Sequence, residues 1–175
     1  MIVAGVDYDS FGAYVALVDA GDYSLLDLIL LRFRDKSRES DASYAFPASR
    51  RLPGALEDAI LGRGPELRPA IAYVERAWTP RGQLKQAFGL GRVQGLIVAT
   101  LLKIEVAVDE LTPAEWRHEL GVKGNCSKSE AHLALLGIGS PFYGEGDARL
   151  IADENVRDAL AIAYAGARRN ARGTA

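Results

Sequence analysis

Two short apolar runs that each end in a carboxylate constrain this chain most. They are Ile2-Val3-Ala4-Gly5-Val6-Asp7 and Ala70-Ile71-Ala72-Tyr73-Val74-Glu75, the second led in by Pro69. Such runs read as buried strands. In open α/β sheets, functional sites gather at the carboxyl ends of strands, so Asp7 and Glu75 are candidates by position. Taken singly, each also reads as an ordinary strand-end residue.

Between and after these runs the chain alternates strand and helix signals. Ala13–Asp19 and residues 24–34 read as two further strands, separated by turns at Ser10–Gly12 and Gly21-Asp22, giving an antiparallel meander with the first. Residues 35–53 are polar, contain Pro47 and Pro53, and read as a loop before a helix at 54–62. Gly82 to Leu102 predicts a long amphipathic helix; glycines weaken a helix, so Gly89, Gly91 and Gly95 point to close approach of another backbone. Residues 104–108 read as a fifth strand. Thr112-Pro113-Ala114-Glu115 carries an N-cap threonine, a proline at N1 and a glutamate at N3, which starts a helix. Ser127 or Ser129 caps another helix running to about Leu136. Gly137–Asp147 reads as a loop, and a last helix spans Glu154 to Arg168. The expected class is α/β: a mixed five-stranded sheet, an antiparallel N-terminal meander plus parallel strands, flanked by helices. One domain over 1–168 and a flexible tail at 169–175 complete the expectation.

Composition narrows the partners. A chain of 175 residues, 49% hydrophobic and 25% charged, suits one globular domain with a proper core. No apolar run approaches the roughly 20 residues that span a bilayer, and the opening residues lack a basic n-region and a cleavage site. Cys126 is the single cysteine, which excludes an internal disulfide and a Cys-rich zinc site. The expectation is a soluble cytoplasmic protein with no membrane partner. A net charge of −2 argues against nucleic acid only weakly, because binding follows local potential. Basic residues cluster at Arg32, Arg34, Lys36 and Arg38, at Arg50-Arg51, across Arg117 to Lys128, and at Arg168-Arg169 and Arg172.

A third acid completes the pattern. The last helix begins Asp153-Glu154-Asn155-Val156-Arg157-Asp158, and Ala159-Leu160-Ala161-Ile162-Ala163 follows directly. A charge entering so apolar a helix needs a partner. At about 100° per residue, Asp158 shares a side with Glu154 and Asn155, whereas Asp153 points elsewhere. Carboxylates converging from two strands and this helix would repel one another unless cations sat among them. Oxygen ligands of this kind suit Mg²⁺ or Mn²⁺. Two such ions about 3.5–4 Å apart activate a water and stabilise the leaving oxygen of a phosphodiester.

In this order, the pieces resemble the RuvC family of Holliday junction resolvases, whose fold is RNase H-like. Gly5-Val6-Asp7-Tyr8-Asp9-Ser10 is similar to the family's opening strand and turn, and Ala72-Tyr73-Val74-Glu75-Arg76-Ala77-Trp78 to its second motif. Phe88-Gly89-Leu90-Gly91-Arg92-Val93-Gln94-Gly95 resembles the helix that builds the family's dimer interface, and Asp158-Ala159-Leu160-Ala161-Ile162-Ala163 its closing motif. Arg117 and Lys128 are spaced like two basic residues of the family's active site. The likeness spans about residues 2 to 166.

The resemblance implies a structure-selective endonuclease, of cellular or phage type, that resolves branched DNA by symmetric, metal-dependent nicking as a homodimer, in the cytoplasm or, for a phage protein, the host's. It implies Asp7, Glu75, Asp158 and Lys128 as catalytic, and Asp7, Glu75, Asp158 with Glu154 or Asn155 as ligands of two Mg²⁺, with Mn²⁺ able to substitute. It implies Arg76, Trp78, Arg117, Lys123 and Lys128 as DNA contacts, Trp78 stacking at the junction centre. The family usually carries Asp or His three residues before its last aspartate; here Asn155 adds an oxygen but no charge. Asp9 stands where a smaller residue is common. Three rival readings remain: a nuclease of the same fold acting on RNA–DNA hybrids or flaps, a junction-binding protein weakened in catalysis, and a phosphotransferase, for which the chain lacks a second domain. His118 and His132, too scattered for a zinc site, read as structural or surface residues; Trp116 reads as core.

Overall fold

The computed structural model describes residues 1–9, 12–33, 45–77, 84–137 and 153–173. One sheet holds β1 (Ile2–Asp9), β2 (Gly12–Asp19), β3 (Leu25–Arg32), β4 (Ile71–Glu75) and β5 (Ala107–Leu111) in the order β3-β2-β1-β4-β5. The first three strands run antiparallel, and β4 and β5 run parallel to β1. The described helices are α1 (Ala45–Leu61), α2 (Leu84–Lys103), α3 (Pro113–Glu119), α4 (Lys128–Gly137) and α5 (Glu154–Gly173). The expected mixed sheet of meander plus parallel strands is present, flanked by helices.

β1 is apolar from Ile2 to Val6 because both of its faces are covered there. Ala4, Val6 and Tyr8 point into a core shared with Leu56 and Ile60 of α1 and Ile97 and Leu101 of α2. Val3, on the alternate face, joins Tyr73, Trp116 and the alanine-rich side of α5. Gly5 lies on that second face, and a Cβ there would land inside the backbone of Ala159 and Ala163. α5 therefore rests directly on β1. The buried small residues Ala159, Ala163 and Ala167 permit that approach, and it brings Asp158 to the end of β1 that carries Asp7.

Three boundaries differ from expectation. α1 starts at Ala45, within the stretch read as a loop. Pro47 falls in its first turn, where the missing N–H has no helical acceptor. Pro53 falls inside the helix, where the buried stripe Leu52, Leu56 and Ile60 holds the chain on the sheet. β5 begins at Ala107, not at 104, because Ile104–Val106 close the end of α2. Glu105 takes a positive φ of 61°, and Val106 N–H reaches back to Leu101 O at 3.0 Å, so the alternating run is a helix cap. α5 runs to Gly173, past the expected end at Arg168, with Arg172 paired to Glu119 at 3.1 Å. Finally, no described backbone of this chain approaches Gly89, Gly91 or Gly95 within 4 Å of where a Cβ would stand.

Candidate active site

Strand register brings the first two carboxylates together. β1 and β4 pair Val3 with Ile71, Gly5 with Tyr73 and Val6 with Val74, so Asp7 and Glu75 are the next neighbours along the same ladder. Side chains alternate faces along a strand, which turns both toward the α5 side. Asp7 is 4% exposed. Its carboxyl is held well above the ordinary aspartate value, first by burial and then by the charges of Glu75 and Asp158. Glu75 is also raised, again chiefly by burial, although a hydrogen bond from Trp116 pulls the other way.

Trp116 owes its place to the helix start read from the sequence. Thr112 and Glu115 form a reciprocal capping box, with Glu115 N–H donating to Thr112 Oγ1 at 3.3 Å and Thr112 N–H donating to Glu115 Oε2 at 2.8 Å. That box fixes α3, whose Trp116 is fully buried and donates its Nε1–H to Glu75 Oε1 at 3.0 Å. A residue assigned to the core thus also orients a carboxylate.

Asp158 is supplied from the first turns of α5, with its side chain 2% exposed. Lys128 Nζ donates to its Oδ2 at 2.7 Å, and His132 Nε2 lies 2.8 Å from its Oδ1. Burial alone would raise Asp158, but the bonds from His132 and Lys128 outweigh it and hold the carboxyl below its usual value. Partial burial works against the Lys128 ammonium, yet its bonds to Asp158 and Glu154 keep its pKa above the ordinary lysine value. The site therefore pairs an ionised Asp158 with two carboxyls, Asp7 and Glu75, whose charged forms are disfavoured.

The remaining expected residues divide. Glu154 joins the site through Lys128 at 2.7 Å. Asn155 is half-buried, and its backbone N–H donates to Asp153 Oδ1 at 3.0 Å. Asp153 pairs with Arg32 and so points away, as the helical angles required. Arg76 leaves β4 beside Glu75 but turns to Glu110 at 3.0 Å. Arg117 lies over the Trp116 ring and donates to Gly124 O at 3.3 Å. Lys123 is exposed on the loop before α4, and Asp9 accepts from the Tyr14 hydroxyl at 3.4 Å. Trp78, Arg34, Lys36, Arg38 and the 138–150 stretch lie outside the described residues. A cleft of about 590 Å³ opens beside Glu75, lined also by Thr112, Arg117, Asn125 and Lys128.

His132, read as a structural or surface residue, is the site member that sequence reasoning did not single out: it is 8% exposed and bonded to Asp158. The available signal was its spacing, four residues after Lys128 on one helix. Among the described residues, no three acidic, histidine or cysteine side chains stand close enough to cage an ion as they are placed. Lys128, His132 and Trp116 hold carboxylate oxygens instead. No described helix is long and apolar enough to cross a membrane.

No family model and no curated protein match the chain. Solved structures do. RuvC of Thermus thermophilus superimposes with a TM-score of 0.70 at 23% identity, covering 99% of this chain and 98% of that one. The same protein in complex with Holliday junction substrate gives 0.69 at 22%, covering 99% and 97%. The yeast mitochondrial Holliday junction resolvase Ydc2 gives 0.66 at 13%, covering 97% and 79%. The architecture built above from register and packing, an RNase H-like sheet with its acids at one end, is therefore the fold of the RuvC-type resolvases.

Proposed function

We propose that this chain is a structure-selective endonuclease that hydrolyses phosphodiesters in four-way DNA junctions. One observation carries the reading: Asp7, Glu75 and Asp158, from two adjacent parallel strands and a crossing helix, act on one another's charge, with Lys128 bonded to Asp158. The RuvC of T. thermophilus, whose fold this chain shares, binds a Holliday junction substrate, which supports the choice of DNA.

The donor chemistry fits a hard divalent cation. All three acids offer oxygen, and two are raised by burial and by neighbouring negative charge, a strain that a cation would relieve. Asp7, Glu75 and Asp158, with Glu154 or Asn155, would hold two Mg²⁺, and Mn²⁺ would substitute. When bound, such ions supply an activated water and stabilise the leaving oxygen. The chain's own residues do the rest. Trp116 holds Glu75, while His132 and Lys128 keep Asp158 ionised. Lys128 is half-exposed, and on substrate binding it turns from Glu154 to a phosphate oxygen and offsets the charge that builds there. Arg76, Arg117 and Lys123 contact the DNA backbone, and Trp78 stacks on an unpaired base.

A homodimer completes the proposal, one site for each of two opposed strands. Phe88, 77% exposed, and Leu102, 56% exposed, lie on α2 in line with the exposed Gly91 and Gly95. That open stripe supports a second copy docking there. The test is a labelled four-way junction beside a linear duplex, each with Mg²⁺, Mn²⁺ or EDTA. Paired nicks in the junction, needing metal, are expected. Tight junction binding without cutting would leave a binding protein, and equal cutting of the duplex would leave a nuclease of broader substrate range.

A further inference from the structure

Both oxygens of Asp158 are engaged from a single helix. Lys128 and His132 stand four residues apart on α4 and so share a face. They take Oδ2 and Oδ1 at 2.7 and 2.8 Å. The two partners are unlike. Lys128 is 47% exposed and divides its ammonium between Asp158 and Glu154, which leaves it free to reach outward. His132, with a side chain 10% exposed, is enclosed against the carboxylate. α4 is itself fixed by Ala131 and Leu135, both buried in the core under α5.

We infer that His132 is a positioning residue for the proposed reaction: its Nε2–H pins Oδ1 of Asp158 and fixes the carboxylate plane while Lys128 moves to the substrate. The inference rests on the nuclease reading. A carboxylate oxygen accepts, so at 2.8 Å the imidazole hydrogen facing Asp158 Oδ1 sits on Nε2. A carboxylate oxygen keeps a second lone pair after accepting one bond, so the pinned Asp158 still has capacity for a cation. Its alignment counts for more here because Asn155 brings no charge to the neighbouring position.

Two variants test this. His132→Leu removes the donor and keeps the bulk, and His132→Gln restores an N–H of similar reach. Mn²⁺ affinity is read without DNA by electron paramagnetic resonance, and single-turnover junction cutting is read beside junction Kd. The leucine variant should lose about 10–100-fold in Mn²⁺ affinity and cutting rate, the range for residues that orient a ligand, with junction Kd unchanged. Glutamine should recover most of both. Wild-type Mn²⁺ affinity and rate in the leucine variant would overturn the inference. Equal losses in both variants, tracking their melting temperatures, would overturn it too, as would a wild type that binds no Mn²⁺. If the wild type binds Mn²⁺ but cuts no junction, the nuclease reading fails while the Mn²⁺ titration still decides the role of His132.

Discussion

Replacing Asp7 with asparagine should stabilise the metal-free protein while abolishing its cleavage. Asp7 is 4% exposed, and burial, then Glu75, then Asp158 raise its carboxyl. Asparagine keeps the shape and removes the charge. Like charges facing one another across this site repel by roughly 2–3 kcal/mol at an effective dielectric near 20. Against this, the variant loses the attraction of Lys128 and weakens the acceptor for the Tyr8 backbone N–H, together about 1 kcal/mol. The net gain is about 1–2 kcal/mol, or roughly 2–8 °C in melting temperature for a chain of this size. The pH dependence follows from the raised value. The folded protein binds the Asp7 proton more tightly than the unfolded chain, so wild-type stability falls as pH rises from the ordinary carboxylate value through the raised one. The variant lacks that fall. Its advantage should be larger at pH 8 than at pH 4, shrinking as pH falls toward the ordinary carboxylate value, as read by calorimetry in EDTA. An Asp7→Asn protein no more stable than wild type at pH 8, or equally ahead at pH 4, would refute the reasoning.

Other outcomes follow from the same geometry. Gly5→Ala should prevent folding or cost more than about 3 kcal/mol, because α5 must lift from β1; circular dichroism and urea unfolding read it. Trp116→Phe should cost about 1–3 kcal/mol in urea unfolding, since it strips the Nε1–H bond from a buried Glu75. Lys128→Ala should lower junction cutting by about 100-fold or more, yet change stability by less than about 1 kcal/mol, because the side chain is half-exposed. Phe88→Glu should shift the protein toward monomer in sedimentation if α2 is the docking face.

The fold was legible where one physical signal dominated. A run buried on both faces reads as apolar without interruption, and β1 up to Val6 and β4 up to Val74 do so. The capping box at Thr112 is local chemistry, readable from four residues. Asp158 stood out because a charge preceded an alanine-rich helix that packs on the sheet. The misreadings have equally particular causes. Ile104-Glu105-Val106 alternates like a strand, but the alternation comes from a cap that buries Ile104 and Val106 and turns Glu105 out with positive φ. α1 was cut short because its prolines looked like breakers, although Leu52, Leu56 and Ile60 hold it in place. His132 and Trp116 take their partners from Asp158 and Glu75, 26 and 41 residues away, and no local pattern encodes those pairings.

The most direct test of the central claim is single-turnover cutting of a four-way junction with Mg²⁺ by wild type, Asp7→Asn, Glu75→Gln and Asp158→Asn. If the three carboxylates form one hydrolytic centre, the wild type nicks two opposed strands, EDTA stops it, and each variant falls by a comparable large factor while still binding the junction. A variant that cuts at the wild-type rate would remove that residue from the centre, and metal-independent cutting would contradict the account.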